Sequence, residues 1–110
     1  MKRYCFALDL PDDPILIAEY EDCHTRVPPA IRKSMTDAGI IGLEIYRVGN
    51  RMIMMFDTTD EFDVEEKAKM DAANPAVQEW EKLMWKYQKP LPFAKPGEKW
   101  MLMKLIYQLQ

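Results

Sequence analysis

The chain opens with an alternation of large apolar side chains and smaller or acidic ones over residues 3–10. Period-two spacing is typical of a β-strand, because successive side chains point to opposite faces of the sheet. The two faces carry Tyr4, Phe6, Leu8 and Leu10 on one side and Cys5, Ala7 and Asp9 on the other. We therefore expect a first strand with one bulky face.

A change to helical spacing follows the strand. Asp13 suits a helix N-cap, and Pro14 suits the first helical position because its fixed φ matches the first turn. The apolar and aromatic positions then recur every three or four residues, as Leu16, Tyr20, His24 and Val27. Pro28-Pro29 should break or kink this helix, and a second helix over 30–39 should stop at Gly39.

Two β-like runs, 40–48 and 51–59, flank Gly49-Asn50, which predicts a tight hairpin. Further on, Asp63 and Glu66 resemble a capping box for a helix over 65–72. The pair Asn74-Pro75 should start a stronger helix that runs to about Lys89. Its apolar stripe is formed by Val77, Trp80, Met84 and Tyr87.

A connecting loop with three prolines, 89–99, leads to a closing run over 99–109 that is apolar on both faces, as in a buried strand. The order β-α-β-β-α-β predicts an α+β fold, a ferredoxin-like sandwich formed by a single domain over 1–110. Because the last strand is apolar on both sides, we expect a second subunit to cover the free sheet face. The result would be a homodimer of the dimeric α+β barrel type.

Composition narrows the classes of function. The 110 residues are 48% hydrophobic and 30% charged with a net charge of −3, which is typical of a globular domain and unlike a nucleic-acid binder. No apolar run approaches the roughly 20 residues that span a bilayer, and the N-terminal run is too short for a signal peptide. We therefore expect a cytoplasmic protein that binds neither membrane nor nucleic acid.

The candidate chemistry centres on His24, the only histidine, which follows Tyr20 by one helical turn. Histidine exchanges protons near neutral pH, and a tyrosine hydroxyl can orient a substrate. The indole of Trp80 suits the apolar face of a sugar. The same spacing also fits a surface histidine, with the two aromatic side chains serving only as core. Metal-ligand spacing is missing around the two cysteines, so we expect no metal or cofactor.

Several segments carry a resemblance that spans nearly the whole chain. They are the strand ending Leu-Asp-Leu, EYEDCH, AGIIGLEIYRVGNRMIMM, NPAVQEWEKLMWKY, and the closing strand after PGEKW. In order and spacing the chain resembles the L-rhamnose mutarotase family, including relatives assigned to L-fucose. The resemblance implies a cofactor-independent, homodimeric sugar epimerase that acts at the anomeric carbon of a 6-deoxy-aldopyranose.

The same resemblance implies roles for individual residues: His24 as the proton donor, Tyr20 as a substrate-binding residue and Trp80 in the wall of the sugar pocket. Three positions depart from the family pattern, since Pro28 and Glu81 replace tryptophans and Leu43 replaces a tyrosine. Two alternatives stay open at this point. They are a small cofactor-independent monooxygenase built on the same dimeric barrel, and a sugar-binding dimer without catalysis.

Overall fold

The computed structural model describes residues 1–109, which form one four-stranded sheet and four helices. The elements are β1 (Lys2–Asp9), α1 (Pro14–Cys23), α2 (Pro29–Ala38), β2 (Ile40–Val48), β3 (Arg51–Thr58), α3 (Val64–Ala72), α4 (Pro75–Trp85) and β4 (Met101–Leu102). The strand order is β2-β3-β1-β4, and all neighbouring strands are antiparallel. This arrangement confirms the predicted ferredoxin-like α+β fold.

The helices begin where the capping residues predict. The side chains of Asp13, Asp63 and Asn74 each accept hydrogen bonds from two backbone N–H groups of the following turn. Helix α2 begins at Pro29, as predicted, but α1 already ends at Cys23, so the interruption begins before Pro28-Pro29 and Val27 lies outside the helix. These caps satisfy N–H groups that the first helical turn leaves without an intrahelical partner.

Glycines set the ends of two elements. Gly39 caps α2 in the left-handed region, with φ at +105°, and a Cβ there would lie 2.8 Å from Thr59 Oγ1. Gly49 has φ at +57° in the hairpin, where Val48 pairs with Arg51 across the two-residue turn. Only glycine adopts such conformations without steric strain, so both turns follow from the sequence.

The sheet has two unequal faces. On the helix side, Leu8 pairs with Met52 and Tyr4 with Phe56, and these side chains pack against the helices. We call the opposite side the open face. Its central side chains are Cys5, Ala7, Tyr46, Ile53 and Met55. Within residues 1–109 no helix covers this face, which leaves Tyr46 more than half exposed.

Three boundaries differ from the sequence-based expectation. Helix α1 ends at Cys23 with His24 as its cap and does not reach Val27. Helix α4 ends at Trp85 instead of Lys89, because the backbone of Lys89 exchanges two hydrogen bonds with Asp9, of 3.1 and 2.8 Å. The closing strand comprises only Met101–Leu102, and the apolar side chains after it are largely exposed. A segment with apolar side chains on both faces is stable as a strand only when other residues bury both faces. The single chain buries little of this segment.

Candidate active site

A cavity of about 910 Å³ lies between the helices and the helix side of the sheet. Its wall combines side chains from α1, α4, β2, β3 and the segment after α4. They include Tyr20, His24, Leu43, Met54, Trp80 and Trp100. The volume is in the range of small-molecule sites, and the mixture of apolar surface with a few polar groups is typical of them.

His24 occupies the C-terminal cap of α1, where the helix ends before the double proline. Its Nδ1 lies 2.9 Å from the carbonyl oxygen of Tyr20. A carbonyl can only accept a hydrogen bond, so Nδ1 donates and carries the hydrogen. The other ring nitrogen, Nε2, is therefore left to exchange a proton in the cavity that His24 lines.

The structure brings together the three side chains predicted for the site. The ring centroids of Tyr20 and His24 are 4.5 Å apart, and the ring of Trp80 lies 5.7 Å from the imidazole in an edge-to-face arrangement. Since Trp80 comes from α4, the contact joins the two main helices at the cavity wall. A ligand beside the imidazole would also lie against the indole.

Tyr20 is 4% exposed, and its hydroxyl oxygen accepts a hydrogen bond of 3.1 Å from Gln88 Nε2. Burial raises the pKa of Tyr20, so the phenol keeps its hydrogen at neutral pH. Gln88 was not predicted from the sequence. Its position four residues after Met84 continues the spacing of the apolar stripe beyond the end of α4 at Trp85.

Charged side chains also line the cavity, among them Arg32, Glu81 and Lys99. Glu81 lies on α4 next to Trp80, and Lys99 lies just before β4, with its ammonium 4.9 Å from the ring centroid of Trp85. Burial lowers the pKa of Lys99, and the negative charge of Glu81 acts in the opposite direction. Within residues 1–109, neither side chain forms an ion pair shorter than 4.0 Å, so both can meet a ligand.

The three departures from the family pattern fall in different places. Leu43 and Glu81 line the cavity, whereas Pro28 precedes α2 and does not belong to the wall. Two ion pairs also line the cavity, Arg47 with Glu21 at 2.6 Å and Lys67 with Asp71 at 2.5 Å. Two of the three departures therefore lie in the cavity wall, and the third lies at the entry to α2.

Comparison with known proteins adds a decisive observation, because residues 3–109 match the family model described as L-rhamnose mutarotase. The chain belongs to the L-rhamnose mutarotase family. It is 47% identical over 102 residues to the L-fucose mutarotase of Xanthomonas campestris pv. campestris, an alignment that covers 91% of this chain and 82% of the relative. Members of this mutarotase family are isomerases, and this chain is accordingly an enzyme of that class.

Solved structures agree with the fold of the mutarotase family. An L-rhamnose mutarotase from Formosa agariphila superposes with a TM-score of 0.73 at 15% identity and covers 100% of both chains. A dimeric ferredoxin-like protein from an uncultured marine organism gives 0.53 at 11% identity, over 98% of this chain and 91% of the other. At these identities the likeness establishes the ferredoxin-like architecture alone.

Within residues 1–109 of the mutarotase, no group of three or more His, Cys, Asp or Glu side chains is placed to hold a metal ion. Within the same residues, no helix is both long and apolar enough to cross a membrane.

Proposed function

We propose that this mutarotase interconverts the α and β anomers of a 6-deoxy-aldopyranose, with His24 as the general acid and base. The observation that supports the proposal is the bond from His24 Nδ1 to the Tyr20 carbonyl, since it leaves Nε2 as the unprotonated nitrogen of the neutral imidazole in a side chain that lines the cavity. The family membership favours this chemistry over a monooxygenase or a non-catalytic binding dimer.

The reaction opens and recloses the sugar ring. In the opening step the anomeric hydroxyl loses its proton to a base, the bond from the anomeric carbon to the ring oxygen breaks, and the ring oxygen gains a proton. An open-chain aldehyde forms, and closure on its other face gives the second anomer. We assign one of these proton transfers to His24 Nε2, since a neutral imidazole accepts a proton and an imidazolium returns it.

The aromatic neighbours of His24 hold the sugar in place. Trp80 offers an indole edge-to-face with the imidazole, and an indole face packs well against the C–H groups of a pyranose. Tyr20 supplies a neutral hydroxyl that orients an oxygen of the sugar. Positioning of this kind aligns the reacting groups before any bond breaks.

Glu81 and Lys99 bind sugar hydroxyls in this proposal. A hydroxyl both donates and accepts, so it can donate to the carboxylate of Glu81 while it accepts from the ammonium of Lys99. Their shared cavity wall and their electrostatic interaction support this assignment. Since the resemblance places a tryptophan at position 81, this pair distinguishes the chain from rhamnose-type members.

The sugar itself follows from the relatives. The protein from Xanthomonas campestris, at 47% identity, is named an L-fucose mutarotase. We therefore propose L-fucose as the first substrate to test and L-rhamnose as the second. Both are 6-deoxy sugars, and the apolar wall formed by Leu43, Met54 and Trp100 suits a C5 methyl group.

We also propose that two copies associate through the open face. Tyr46 and Val48 are 55% and 78% exposed there, and Ile53 and Met55 are only partly covered. The tail brings further apolar side chains to the same side, because Met103 Sδ lies 3.5 Å from Cys5 Sγ. Contiguous exposed apolar surface of this kind marks an interface, and a second copy would cover it.

A cytoplasmic location and a single domain over 1–110 remain predictions. The location is supported by the free thiols of Cys5 and Cys23, since reduced cysteines are usual in a reducing compartment. Fractionation of cells that express the intact protein would test the location. Limited proteolysis would test the domain assignment, since one domain should resist cleavage along its whole length.

Substitution of His24 tests the central proposal. Saturation-transfer NMR on L-fucose and L-rhamnose measures anomer exchange, with polarimetry as an independent check. We expect His24→Ala to lower kcat/KM at least about 100-fold, since general acid–base catalysis contributes about 10²–10⁴-fold. The circular dichroism spectrum should be unchanged, because His24 is a half-buried cap and not a core residue. Undiminished exchange in this variant would contradict the role of His24.

A further inference from the structure

A buried amide lies beside the Tyr20 hydroxyl. Gln88 is 8% exposed, follows the end of α4 and lines the same cavity as Tyr20 and His24. Its Nε2 donates to Tyr20 Oη over 3.1 Å, which links α1 to the segment after α4. This contact is the only hydrogen bond of the Tyr20 hydroxyl within residues 1–109.

The direction of that hydrogen bond determines what Tyr20 can do. The amide N–H occupies a lone pair of the phenol oxygen, so the phenol hydrogen must point elsewhere. No acceptor within residues 1–109 takes that hydrogen, and the carboxylate of Glu19 is bonded to the Tyr87 hydroxyl. Since burial keeps the phenol neutral, Tyr20 presents a hydrogen-bond donor beside the imidazole of His24.

Packing alone does not explain an amide at this position. Gln88 Oε1 is buried and has no hydrogen-bond partner within residues 1–109. An apolar side chain of similar size would remove this unpaired carbonyl, but it would leave the buried Tyr20 hydroxyl unpaired. The amide is therefore explained by its contact with the hydroxyl of a tyrosine that lines the cavity.

We propose that Gln88 is a positioning residue that holds the Tyr20 hydroxyl as a hydrogen-bond donor toward an oxygen of the bound sugar. The inference rests on the proposed mutarotase function and extends it to a residue outside the Tyr-His-Trp group. Gln88 acts through Tyr20, because it makes the Tyr20 hydroxyl the donor in one hydrogen bond to the pyranose.

Two substitutions of Gln88 separate function from packing. Gln88→Leu removes the donor, and Gln88→Glu replaces it with a carboxylate that accepts the Tyr20 hydrogen and withdraws it from the sugar. We expect each variant to lower kcat/KM about fivefold or more, the scale of one lost hydrogen bond. Gln88→Leu should unfold at a urea concentration close to that of the wild type, since it exchanges an unpaired carbonyl for an unpaired Tyr20 hydroxyl. Full activity in either variant overturns the inference, and Gln88→Glu decides it if Gln88→Leu does not fold.

A double-mutant cycle with Tyr20→Phe provides the sharper measurement. If Gln88 acts through the hydroxyl, Gln88→Leu should change kcat/KM less than about twofold once that hydroxyl is absent. An equal loss in both backgrounds overturns the inference and leaves the proposed function intact. A wild-type enzyme that accelerates neither L-fucose nor L-rhamnose exchange overturns both. The two failures are therefore distinguishable.

Discussion

The two faces of the sheet differ in how far the single chain buries them. On the helix side, Leu8 and Met52 are at most 1% exposed, and the chain's own helices cover them. On the open face, two bidentate ion pairs, Arg3 with Asp57 and Arg51 with Asp9, flank partly exposed apolar residues. The helix side therefore forms a core within one chain, whereas the open face lacks an equivalent cover.

This difference separates the proposed catalytic site from the proposed dimer interface. The cavity and all the side chains proposed to act on the sugar lie on the helix side, where the chain provides their surroundings. The open face contributes none of the proposed catalytic residues. Substitutions on the helix side should thus change stability or activity in any assembly, and those on the open face should act through association.

The largest expected effect is the loss of a core side chain on the helix side. Leu8→Ala removes a side chain that is 0% exposed, and we expect the free energy of unfolding to fall by about 2–5 kcal/mol. Met55→Ala on the open face is the matched variant. Urea unfolding at several protein concentrations measures both.

The two substitutions should differ in how their effects on the free energy of unfolding depend on protein concentration. The effect of Leu8→Ala should be the same at all concentrations, because its cover belongs to its own chain. The effect of Met55→Ala should grow at concentrations where two copies associate, since association stabilises the folded state by mass action. Equal, concentration-independent effects of the two substitutions would contradict the proposed difference between the faces.

The next largest effect concerns association itself. Ile53 pairs with Ala7 and Tyr46 at the centre of the open face. Ile53→Glu would place a charge from each copy in the interface, and we expect the dimer dissociation constant to rise about 30-fold or more. Sedimentation equilibrium measures the change. Ile15→Glu, at a residue that is 70% exposed on α1, is the control and should leave the dimer intact.

Local patterns predicted most of the fold. The alternation around Leu8, the caps at Asp13 and Asn74, and the turn at Gly49 each depend on neighbours in the chain, so the sequence contains the necessary information. The one-turn spacing of Tyr20 and His24 likewise placed both side chains together, as the 4.5 Å ring separation shows.

Features that depend on distant contacts could not be predicted in this way. Helix α4 ends early because Lys89 pairs with Asp9, which is 80 positions away in the chain. The bond from Gln88 to Tyr20 joins segments that only the tertiary fold brings together. The closing strand was predicted too long because the apolar residues after Leu102 continue the strand pattern although they are exposed in the single chain.

The smallest expected effect is that of a substitution at Glu81, which lines the cavity together with Lys99. Glu81→Gln keeps the size of the side chain but removes the negative charge that acts on Lys99. Because that charge raises the pKa of Lys99 against the opposing effect of burial, its removal should lower the pKa further. The ammonium would then lose its proton, and its ability to donate an ammonium hydrogen bond to the sugar, at a lower pH than in the wild type.

Anomer-exchange kinetics from neutral to alkaline pH would measure this shift. For Glu81→Gln we expect KM for L-fucose to rise about two- to tenfold at neutral pH, which is the range of one lost hydrogen bond. The further rise of KM at alkaline pH should begin at a lower pH than in the wild type. Glu79→Gln is the matched control, because Glu79 is exposed on the same helix and does not line the cavity. An identical KM profile in both variants would remove Glu81 and Lys99 from the sugar site and leave His24 as the helix side's main determinant of activity.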